Sequence, residues 1–500
     1  MGIETPLDFE ILVVGAGLSG IATGIKLKKA GFHDFSIIEK ADGVGGTWRD
    51  NSYPGLAVDI PTLTYSYSFE QNPDWSNLYA PGPELKDYAD HCTDKYGVRA
   101  HIQFNRAVSK AVYDEERNVW QSHLEDGSIL TSRYLVSATG FLQVAKLPDI
   151  DGIESFEGKL MHTAAWDHDH ELKDRRVAVI GTGATGVQLI PEIAPLVEQL
   201  DVYQRTPIWL LPKADLPVSS RMRKAFRYIP GLQWLLRILM FLVTDVVMVN
   251  VLKNYRRFSR LALAAERKCT EHLRSQVDDP VLQEKLIPRY SFGCKRPSFS
   301  NTFYPTFNRG NVELVTEPIE RIVENGIVTS DGKRREIDTL ICATGFDVFG
   351  KKTVPTFPVY GCGGTELTDF WDKNRYQAFM GATVPNYPNY FMVFGPYAVA
   401  SASFIGMIEN QTRHLLRCLS AARRRGANYI TVKQESHDRD FAEILRRRGD
   451  MIWALGNCAG SNSYYFNRHG DYPGLRPIGS PTAWWRAHFF SMNHYHFASK

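Results

Sequence analysis

Two stretches of the chain combine short apolar runs with glycine-rich turns, and the first of them covers residues 9–38. Residues 9–14 are apolar apart from Glu10 and lead into Gly15-Ala16-Gly17-Leu18-Ser19-Gly20. An amphipathic segment follows to about Ala30, and a second apolar run spans residues 35–38. Short apolar runs beside glycine turns predict buried parallel strands, and the amphipathic segment between them predicts a helix. The pattern therefore predicts a β–α–β unit.

The same order of elements returns at residues 176–203. An apolar run over 176–180 leads into Gly181-Thr182-Gly183-Ala184-Thr185-Gly186, and a helix-like stretch then leads to an apolar run over 200–203. Both turns have the pattern G-x-G-x-x-G. Its first glycine permits the tight turn, its second lets the backbone approach a pyrophosphate, and its third allows the helix to pack closely on the strand. Because each turn follows a strand and opens a helix, the two predict dinucleotide-binding units rather than structural turns.

The residue after the second strand of each unit distinguishes the two nucleotides. Glu39 lies 24 residues after Gly15, and Arg205 lies 24 residues after Gly181. A carboxylate there accepts hydrogen bonds from ribose hydroxyls and repels a 2′-phosphate, whereas an arginine offers a planar fork that suits this phosphate. We therefore expect the first unit to bind the adenosine of FAD and the second to bind NADPH rather than NADH. Thr206 adds a hydroxyl for the same phosphate.

A third repeat indicates how the two units are joined. Residues 134–141 and 339–346 are apolar strands that both end in A-T-G-F, one before and one after the second unit. They predict an α/β fold with two Rossmann-like dinucleotide-binding domains, the second inserted in the first. Residues 212–289 are rich in Leu, Arg, Lys and Glu and predict a helical excursion. The expected parts are the FAD-binding domain at 1–150 and 339–500, the NADPH-binding domain at 151–215 and 291–338, and the helical insertion at 216–290.

Residues 232–252 form an apolar stretch about as long as a membrane span. Arg237 and Asp245 lie inside it, and a charge near the centre of a bilayer costs at least ~2.5–3.5 kcal/mol, which disfavours a spanning helix. We favour a buried or partner-facing helix. An interfacial helix in contact with a membrane stays open, because basic residues flank the stretch. They are Arg221, Arg223, Lys224, Arg227, Lys253, Arg256 and Arg257.

Composition narrows the class of protein. The chain has 500 residues, and its 58 Lys and Arg against 55 Asp and Glu give no net field that favours nucleic acid as a partner. Seven cysteines without a C-x-x-C pair exclude a disulfide-rich scaffold, argue against a disulfide reductase and fit reduced thiols inside a cell. Since residues 1–10 do not resemble a secretory signal, we expect a cytoplasmic protein, with membrane association left open. We interpret Asp167-His168-Asp169-His170 as an exposed loop and expect no metal site.

Three longer motifs carry the most specific information. Residues 156–167 have the pattern F-x-G-x-x-x-H-x-x-x-W-D and end just before the second glycine turn. Residues 46–59 have the pattern G-x-W-x-x-x-x-Y-P-G-x-x-x-D. Lys295-Arg296-Pro297 is followed by N-R-G-N-V at 308–312. Together these motifs resemble those of the type I Baeyer–Villiger monooxygenases, a flavin-dependent family, and the resemblance covers nearly the whole chain, residues 9–477.

The resemblance implies a reaction. In this family NADPH reduces FAD, the reduced flavin takes up oxygen as a C4a-peroxyflavin, and one oxygen atom is inserted next to a ketone carbonyl to give an ester or lactone and water. A fixed cation beside the flavin stabilises the negative charge, and a preorganised donor of this kind is typically worth ~2.7–4 kcal/mol. By the motifs this cation is Arg296, and Asp59 orients it. The implied partners are molecular oxygen and a small apolar ketone or sulfide, and the apolar excursion favours lipophilic ketones.

The resemblance also assigns cofactor contacts. For FAD they are Gly15, Gly17, Gly20, Glu39, Lys40, Thr47, Trp48, Asp59, Tyr65 and Val108. For NADPH they are Thr182, Gly183, Ala184, Thr185, Gly186, Val187, Gln188, Arg205, Thr206, Lys295 and Tyr464. Tyr464 stands where the family commonly has a tryptophan that contacts NADP. His162 is either a proton carrier or, as we favour, a residue that fixes the interdomain linker, and Phe404 suits a flavin-facing position and the core equally.

Two other functions stay open at this stage. A related flavin monooxygenase could oxidise sulfur or nitrogen of small molecules, although Trp166 and Asp167 argue against it because those enzymes usually carry another aromatic residue in place of the tryptophan. A second alternative is an NADPH- and flavin-binding redox sensor that has lost oxygenation. The presence of Arg296 and Asp59 argues against the sensor, since that role needs no cation beside the flavin.

Overall fold

The computed structural model describes residues 6–350 and 353–500. The strands, in chain order, are β1 Phe9–Val14, β2 Phe35–Ile38, β3 Ile102–Gln103, β4 Val108–Asp114, β5 Val119–Leu124, β6 Ile129–Ser137, β7 Lys159–His162, β8 Arg176–Ile180, β9 Gln199–Tyr203, β10 Leu210–Leu211, β11 Ser298–Phe299, β12 Val312–Val315, β13 Ile319–Val323, β14 Gly326–Thr329, β15 Arg334–Glu336, β16 Thr339–Cys342, β17 Val359–Tyr360, β18 Tyr390–Met392, β19 Tyr429–Val432 and β20 Tyr495–Ala498. The α-helices are α1 Leu18–Lys29, α2 Thr47–Asp50, α3 Gly82–Lys95, α4 Ala184–Ile193, α5 Ser220–Tyr228, α6 Leu232–Phe241, α7 Asn250–Lys253, α8 Tyr255–Arg274, α9 Pro280–Leu286, α10 Phe303–Thr306, α11 Leu367–Asn374, α12 Phe404–Arg425, α13 Gln434–Arg448, α14 Ile452–Leu455 and α15 Ser480–Phe489.

The first sheet contains the first glycine turn. Its strand order is β17-β4-β5-β6-β1-β2-β3, and β18 also pairs with β6. Strand β1 lies between β2 and β6 and runs parallel to both, so that Val13 is opposite Ile37 and Val136. All three side chains are buried in the largest hydrophobic core, which explains the nearly continuous apolar runs in the sequence. Because β18 comes from the C-terminal part of the chain, that part returns to the first domain.

The second sheet contains the second glycine turn and is parallel throughout. Its order is β12-β9-β8-β16-β7. Strand β16 lies between β8 and β7, with Leu340 opposite Ala178 and Leu160. The boundary that we expected at 338/339 is therefore wrong, since the second domain includes the strand 339–342. The sequence misled because a fully buried parallel strand has the same apolar pattern in either sheet.

Two chain crossings connect the domains, and they run side by side. The amide of Lys146 donates to the carbonyl of Gly345 over 2.9 Å, and the amide of Asp347 donates to the carbonyl of Val144 over 2.9 Å. The A-T-G-F segment at 138–141 thus leads into a two-stranded connection. The A-T-G-F segment at 343–346 forms part of the other strand of this connection. The second domain is joined to the first through this narrow link, in addition to its side-chain contacts.

The helical excursion consists of α5 to α9, and its apolar stretch lies at the surface. Helix α6, a π-helical segment at Leu242–Val249 and α7 form one continuous rod. This rod is long and apolar enough to cross a membrane, with a mean hydropathy of 2.2, but only 19% of its most apolar window is buried. Of the two expectations for this stretch, burial within the chain is therefore wrong for the outward face, which includes the exposed side chains of Trp234, Leu239 and Val243. A partner-facing helix stays a prediction.

One cysteine expectation also needs correction. Cys294 and Cys458 form a disulfide across 164 residues of sequence, although we expected reduced thiols throughout. The other cysteines of the chain are free: Cys92, Cys269, Cys342, Cys362 and Cys418. The spacing of the cysteines along the sequence does not predict this pair, because the two partners meet only when the helical excursion and the C-terminal segment fold together.

Candidate active site between the two nucleotide-binding domains

Both glycine turns open onto one cavity. It has a volume of about 2010 Å³ and is lined by residues of both dinucleotide-binding domains and of the helical excursion. A pocket for one drug-sized ligand measures roughly 300–1,000 Å³. The cavity therefore has room for more than one ligand.

The first and third glycines of each turn have a steric role. Gly15 and Gly181 adopt φ angles of +105° and +113°, in the left-handed region that favours glycine. A Cβ on Gly20 would lie 1.8 Å from the carbonyl oxygen of Gly15, and a Cβ on Gly186 would lie 2.3 Å from that of Gly181. These glycines allow the close approach of strand and helix at both turns.

The second glycines instead have no close steric contact. A Cβ on Gly183 would meet no protein atom within 4 Å, and a Cβ on Gly17 would come no closer than 3.6 Å, to Cα of Gly46. Both glycines line the cavity, and they immediately precede helices α4 and α1. Bare backbone with free space at a helix N-terminus fits a pyrophosphate, which the helix dipole attracts. The residues present therefore fit FAD at the first turn and NADPH at the second.

The acid at the end of β2 is held in place by backbone amides. Glu39 is buried, its Oε2 accepts a hydrogen bond from the amide of Ala16 over 2.7 Å, and its Oε1 accepts one from the amide of Ala41 over 3.0 Å. A carboxylate has about four lone-pair sites, so two of them stay available for ribose hydroxyls. Glu39 lines the cavity together with Lys40.

Two cations and a hydroxyl lie together at the end of β9. Burial and the neighbouring guanidinium of Arg205 lower the pKa of Lys295 to about 8. Thr206 is next to Arg205 in sequence, and its Oγ1 accepts a hydrogen bond from Nδ2 of Asn462 over 2.8 Å. All four side chains line the cavity. Two like charges held beside each other fit a dianionic 2′-phosphate, which would relieve their repulsion.

A third cation of the cavity, Arg296, forms an ion pair with Asp59. Nη2 of Arg296 donates a hydrogen bond to Oδ1 of Asp59 over 2.8 Å, and the two side chains keep 26% and 28% of their surface exposed. Burial alone would lower the pKa of Arg296, but the attraction of Asp59, with contributions from Tyr464 and Tyr465, raises it. Arg296 therefore stays charged, and its guanidinium faces the cavity with donors to spare.

Aromatic side chains form an apolar wall of the cavity. Phe141 stacks on Phe394 with ring centroids 4.6 Å apart and contacts Phe404 at 4.7 Å. Of the two positions open for Phe404, the structure gives one at the cavity wall. Trp48 donates from Nε1 to the hydroxyl of Tyr65 over 3.2 Å, and both also line the cavity.

Residues of the apolar rod also line the cavity, whereas the sequence connected this stretch to the substrate class but not to particular positions in the site. The cavity-lining residues of this rod are Val243, Thr244, Met248, Val249 and Leu252. The apolar composition of the stretch was visible in the sequence, but composition does not tell which side of a helix faces a pocket.

Comparison with known proteins decides the family. The chain is 38% identical over 451 residues to a Baeyer–Villiger monooxygenase of Pseudomonas aeruginosa, and this match covers 90% of the chain and 84% of the relative. It is 34% identical over 462 residues to a Baeyer–Villiger monooxygenase of Streptomyces coelicolor, with 92% and 87% covered. The chain belongs to the Baeyer–Villiger monooxygenase family. Like its relatives, this Baeyer–Villiger monooxygenase is an FAD- and NADPH-dependent enzyme, and the family, activity and cofactors expected from the motifs are confirmed.

Solved structures give the same result for the fold. The structure is similar to that of an oxidized steroid monooxygenase bound to NADP, with a TM-score of 0.86, 28% identity, and 98% of this chain and 100% of that chain covered. Cyclohexanone monooxygenase from Rhodococcus sp. Phi1 bound to NADP+ matches with a TM-score of 0.86, 27% identity, and 99% and 100% covered. A family model of pyridine nucleotide-disulphide oxidoreductases matches residues 12–227. The predicted α/β fold of this Baeyer–Villiger monooxygenase is confirmed.

Most of the expected cofactor residues lie along the cavity. Those that line it are Gly15, Gly17, Glu39, Lys40, Thr47, Trp48, Asp59, Tyr65, Val108, Thr182, Gly183, Ala184, Thr185, Gln188, Arg205, Thr206, Lys295 and Tyr464. Gly20 and Gly186 lie behind the first glycine of their turn. Val187 is buried in the core of the second domain, where it packs with other apolar residues.

His162 and the segment after it lie outside the cavity lining. His162 is buried at the end of β7, its Nδ1 accepts a hydrogen bond from the amide of Ala164 over 3.0 Å, and burial lowers its pKa despite a hydrogen bond with the backbone of Gly345. These contacts support a structural role next to the domain crossing. In the following segment, His168 bonds to Ser52 over 2.8 Å. Across the described residues, 6–350 and 353–500, no group of three His, Cys, Asp or Glu could hold a metal ion.

Proposed function

We propose that Arg296 is the catalytic cation of the Baeyer–Villiger oxidation, that Asp59 positions it, and that the substrate is a lipophilic ketone. The observation that carries this proposal is the Arg296–Asp59 ion pair, which lies in the same cavity as both glycine turns. Bound FAD and NADPH supply the hydride transfer and the activation of oxygen. The protein's own contribution is to bind both, to hold charge in place and to exclude water.

The charge of Arg296 fits the electrostatic demand of the reaction. Attack of an activated oxygen on a ketone carbonyl places negative charge on oxygen atoms, and a fixed donor in a partly desolvated site stabilises that charge. The raised pKa of Arg296 keeps the guanidinium protonated at any working pH. Asp59 takes up one of its N–H groups, which fixes the orientation of the remaining donors.

The apolar wall supports a lipophilic ketone as the substrate. The aromatic part of this wall consists of Phe141, Phe394 and Phe404. The apolar rod adds Met248 and Leu252 to the lining of the cavity. Apolar surface of this kind binds hydrocarbon by removing it from water, at roughly 25 cal/mol per Å² buried. The polar groups are concentrated instead where the nucleotides are expected.

Isotope labelling tests the proposed reaction and its substrate class. We expect the holoenzyme, given NADPH and ¹⁸O₂, to convert long-chain and polycyclic ketones into esters or lactones that contain one ¹⁸O atom, with a lower KM than for short ketones. An aryl alkyl sulfide is the comparison substrate. Faster oxidation of the sulfide than of every ketone would favour the heteroatom-oxidising alternative, and a lower KM for short ketones would contradict the lipophilic substrate.

We further propose that the enzyme touches a membrane surface through helix α6. Two observations support this contact. The inward face of the helix is fixed to the protein by two polar side chains beside Leu236 and Met240, which pack on the core. Gln233 donates to the carbonyl of Asn72 over 2.5 Å, and Arg237 donates to the carbonyl of Leu63 over 2.6 Å. The outward face is apolar, with exposed fractions of 57% for Trp234, 51% for Leu235 and 49% for Leu239. It continues into the π-helical segment, where Leu242 is 45% and Val243 58% exposed.

The charges near this face fit an anionic lipid surface. Arg221 and Lys224 are exposed on α5, which precedes α6 in the chain, and Arg257 and Arg260 are exposed on α8, which follows the apolar rod. Cations that flank an apolar helix favour the interface of anionic membranes. Val243 is both exposed and part of the cavity lining. A ketone dissolved in the membrane would thus reach the cavity along the same helix.

Vesicle sedimentation tests the membrane contact. The holoenzyme should sediment with phosphatidylglycerol vesicles more than with phosphatidylcholine vesicles, and the double variant Trp234→Gln/Leu239→Gln should lose this binding. Leu196→Gln, which changes an equally exposed leucine of the second domain, is the matched control. Loss of a dimer in the double variant, without vesicle binding by the parent enzyme, would show that a second copy covers this face instead.

A further inference from the structure

A covalent link lies directly beside the proposed catalytic cation. Cys294 immediately precedes Lys295 and Arg296, and it forms a disulfide with Cys458 with a Cα–Cα distance of 5.2 Å. This distance is typical of protein disulfides. Cys458 begins the segment 458–467, here named the closing loop, which contains no helix or strand.

The closing loop contacts both ends of the proposed NADPH and catalytic region. Asn462 donates to Oγ1 of Thr206 over 2.8 Å, at the place where the 2′-phosphate is expected. Tyr464 and Tyr465 lie close enough to Arg296 to contribute to its raised pKa. Movement of this loop would therefore change the surroundings of the phosphate site and of the catalytic cation together.

A series of hydrogen bonds joins the chain just before the closing loop to residues 291–294. The amide of Ser291 donates to the carbonyl of Asn457 over 2.9 Å, the amide of Asn457 donates to Oγ of Ser291 over 3.1 Å, and Nε1 of Trp453 donates to the carbonyl of Cys294 over 3.1 Å. This series ends at Asn457. The disulfide at Cys458 is the next link between residues 291–294 and this part of the chain. From there the closing loop extends to Thr206.

We propose that the Cys294–Cys458 disulfide is a positioning group that fixes the closing loop over the 2′-phosphate site and Arg296, so that the nicotinamide nucleotide is retained while oxygen is transferred. Neither cysteine is among the described residues that line the cavity, so the pair acts through its neighbours. A cross-link lowers the conformational freedom that the loop must lose on binding. The proposal rests on the proposed roles of Arg296 and of the phosphate site.

Substitution of the less buried cysteine tests the proposal in the holoenzyme. Cys458 is half-buried whereas Cys294 is buried, so Cys458→Ser is the milder change. NADP+ binding to this variant, measured by calorimetry, should weaken by about tenfold, the loss expected when roughly one more residue must be ordered on binding. The KM for NADPH should rise with kcat for NADPH oxidation unchanged, and more of the oxidised NADPH should yield hydrogen peroxide instead of ester. Cys362→Ser, which removes a half-buried free thiol, is the matched control and should match the parent enzyme.

Reversible reduction separates positioning from damage to the fold. A thiolate of dithiothreitol attacks Sγ of Cys458 and displaces the thiolate of Cys294. The second thiol of the reagent then closes the oxidised ring and releases Cys458, so two electrons and two protons reach the protein. Reduction should reproduce the loss of NADP+ affinity in the parent enzyme but not in Cys458→Ser, and reoxidation should restore it.

Two results would overturn the proposal. One is a Cys458→Ser variant with the NADP+ affinity and the ester-to-peroxide ratio of Cys362→Ser. The other is a count of seven free thiols, rather than five, in denatured protein that was never reduced. NADP+ affinity and thiol count need no ketone turnover, so the proposal can fail or hold independently of the proposed substrate and of the role of Arg296.

Discussion

Arg296 and Asp59 are 237 residues apart in sequence, yet Nη2 of the arginine lies 2.8 Å from Oδ1 of the aspartate. Asp59 belongs to the first domain, whereas Arg296 follows Lys295 in the segment that leads from the helical excursion into β11. The ion pair therefore joins the domain with the proposed FAD turn to the segment with the proposed NADPH contacts. The guanidinium has its orientation only when both parts of the protein are assembled.

Replacement of Arg296 should separate oxygen activation from oxygen transfer. For Arg296→Ala we expect the rate of ester formation to fall by about 10²- to 10³-fold, the range measured when one preorganised donor is removed from an oxyanion site. NADPH oxidation should continue, because hydride transfer does not need this cation, and the oxygen consumed should appear as hydrogen peroxide. Gas chromatography of the ester and a peroxide assay on the same samples measure both products.

The control for this variant is a second ion pair of the same type. Arg176 pairs with Asp338 at 3.0 Å, with 38% and 34% of the side chains exposed, and it lies outside the cavity lining. Arg176→Ala should leave the ester-to-peroxide ratio unchanged. A normal ester yield from Arg296→Ala would remove the proposed catalytic role.

Replacement of Arg205 should change the preference between the two nicotinamide nucleotides. Arg205→Ala should lower kcat/KM for NADPH by about 10- to 100-fold, the scale of lost hydrogen bonds to a charged group, while kcat/KM for NADH stays nearly constant. Steady-state rates with both nucleotides measure the change. Arg309→Ala removes an exposed arginine elsewhere in the second domain and serves as the control. An equal loss for NADPH and NADH would contradict contact with the 2′-phosphate.

The lowered pKa of Lys295 predicts a pH dependence of NADP+ binding. Burial and the charge of Arg205 lower this pKa to about 8, so the ammonium of the free enzyme is charged below about pH 8 and loses its proton as the pH rises through that value. The charged form attracts the phosphate, and affinity for NADP+ should therefore decrease between about pH 7 and about pH 9.5. Calorimetric titrations at several pH values measure it. Lys295→Arg should remove the decrease because arginine stays charged, and a profile for NAD+ as steep as that for NADP+ would refute the assignment.

The two nucleotide-binding units could be predicted because their determinants are local. A strand, a G-x-G-x-x-G turn and a helix lie within 25 residues of each other, and sterics at Gly15 and Gly181 dictate the turn wherever it occurs. The choice between acid and base at Glu39 and Arg205 likewise depends only on distance along the chain. Conversely, no local signal tells which sheet receives a buried strand, and strand β16 was assigned to the wrong domain for that reason.

Contacts between distant segments could not be predicted from the sequence, for a different reason. Cys294 and Cys458 meet only because the helical excursion packs on the C-terminal segment. The composition of residues 232–252 identified the apolar rod but not its orientation. A surface helix of a globular protein normally buries its apolar face. Here Gln233 and Arg237 face inward while Trp234 faces outward. Orientation of this kind follows from the carbonyl groups that the fold presents to the helix.

Substitution by alanine should affect stability at one glycine of the second turn and NADP+ binding at another. A Cβ on Gly186 would lie 2.3 Å from the carbonyl oxygen of Gly181, so Gly186→Ala should lower the free energy of unfolding by about 1–3 kcal/mol, as overpacking does. A Cβ on Gly183 would meet no protein atom within 4 Å, so Gly183→Ala should leave that free energy within about 0.5 kcal/mol of the parent value. The added methyl would instead occupy the space expected for the pyrophosphate, and NADP+ binding should weaken by about tenfold or more, as when a charge-assisted hydrogen bond is lost. Denaturant unfolding of the FAD-loaded enzyme and calorimetry with NADP+ measure the two effects separately. Unchanged NADP+ affinity in Gly183→Ala would mean that the nucleotide does not lie against this turn.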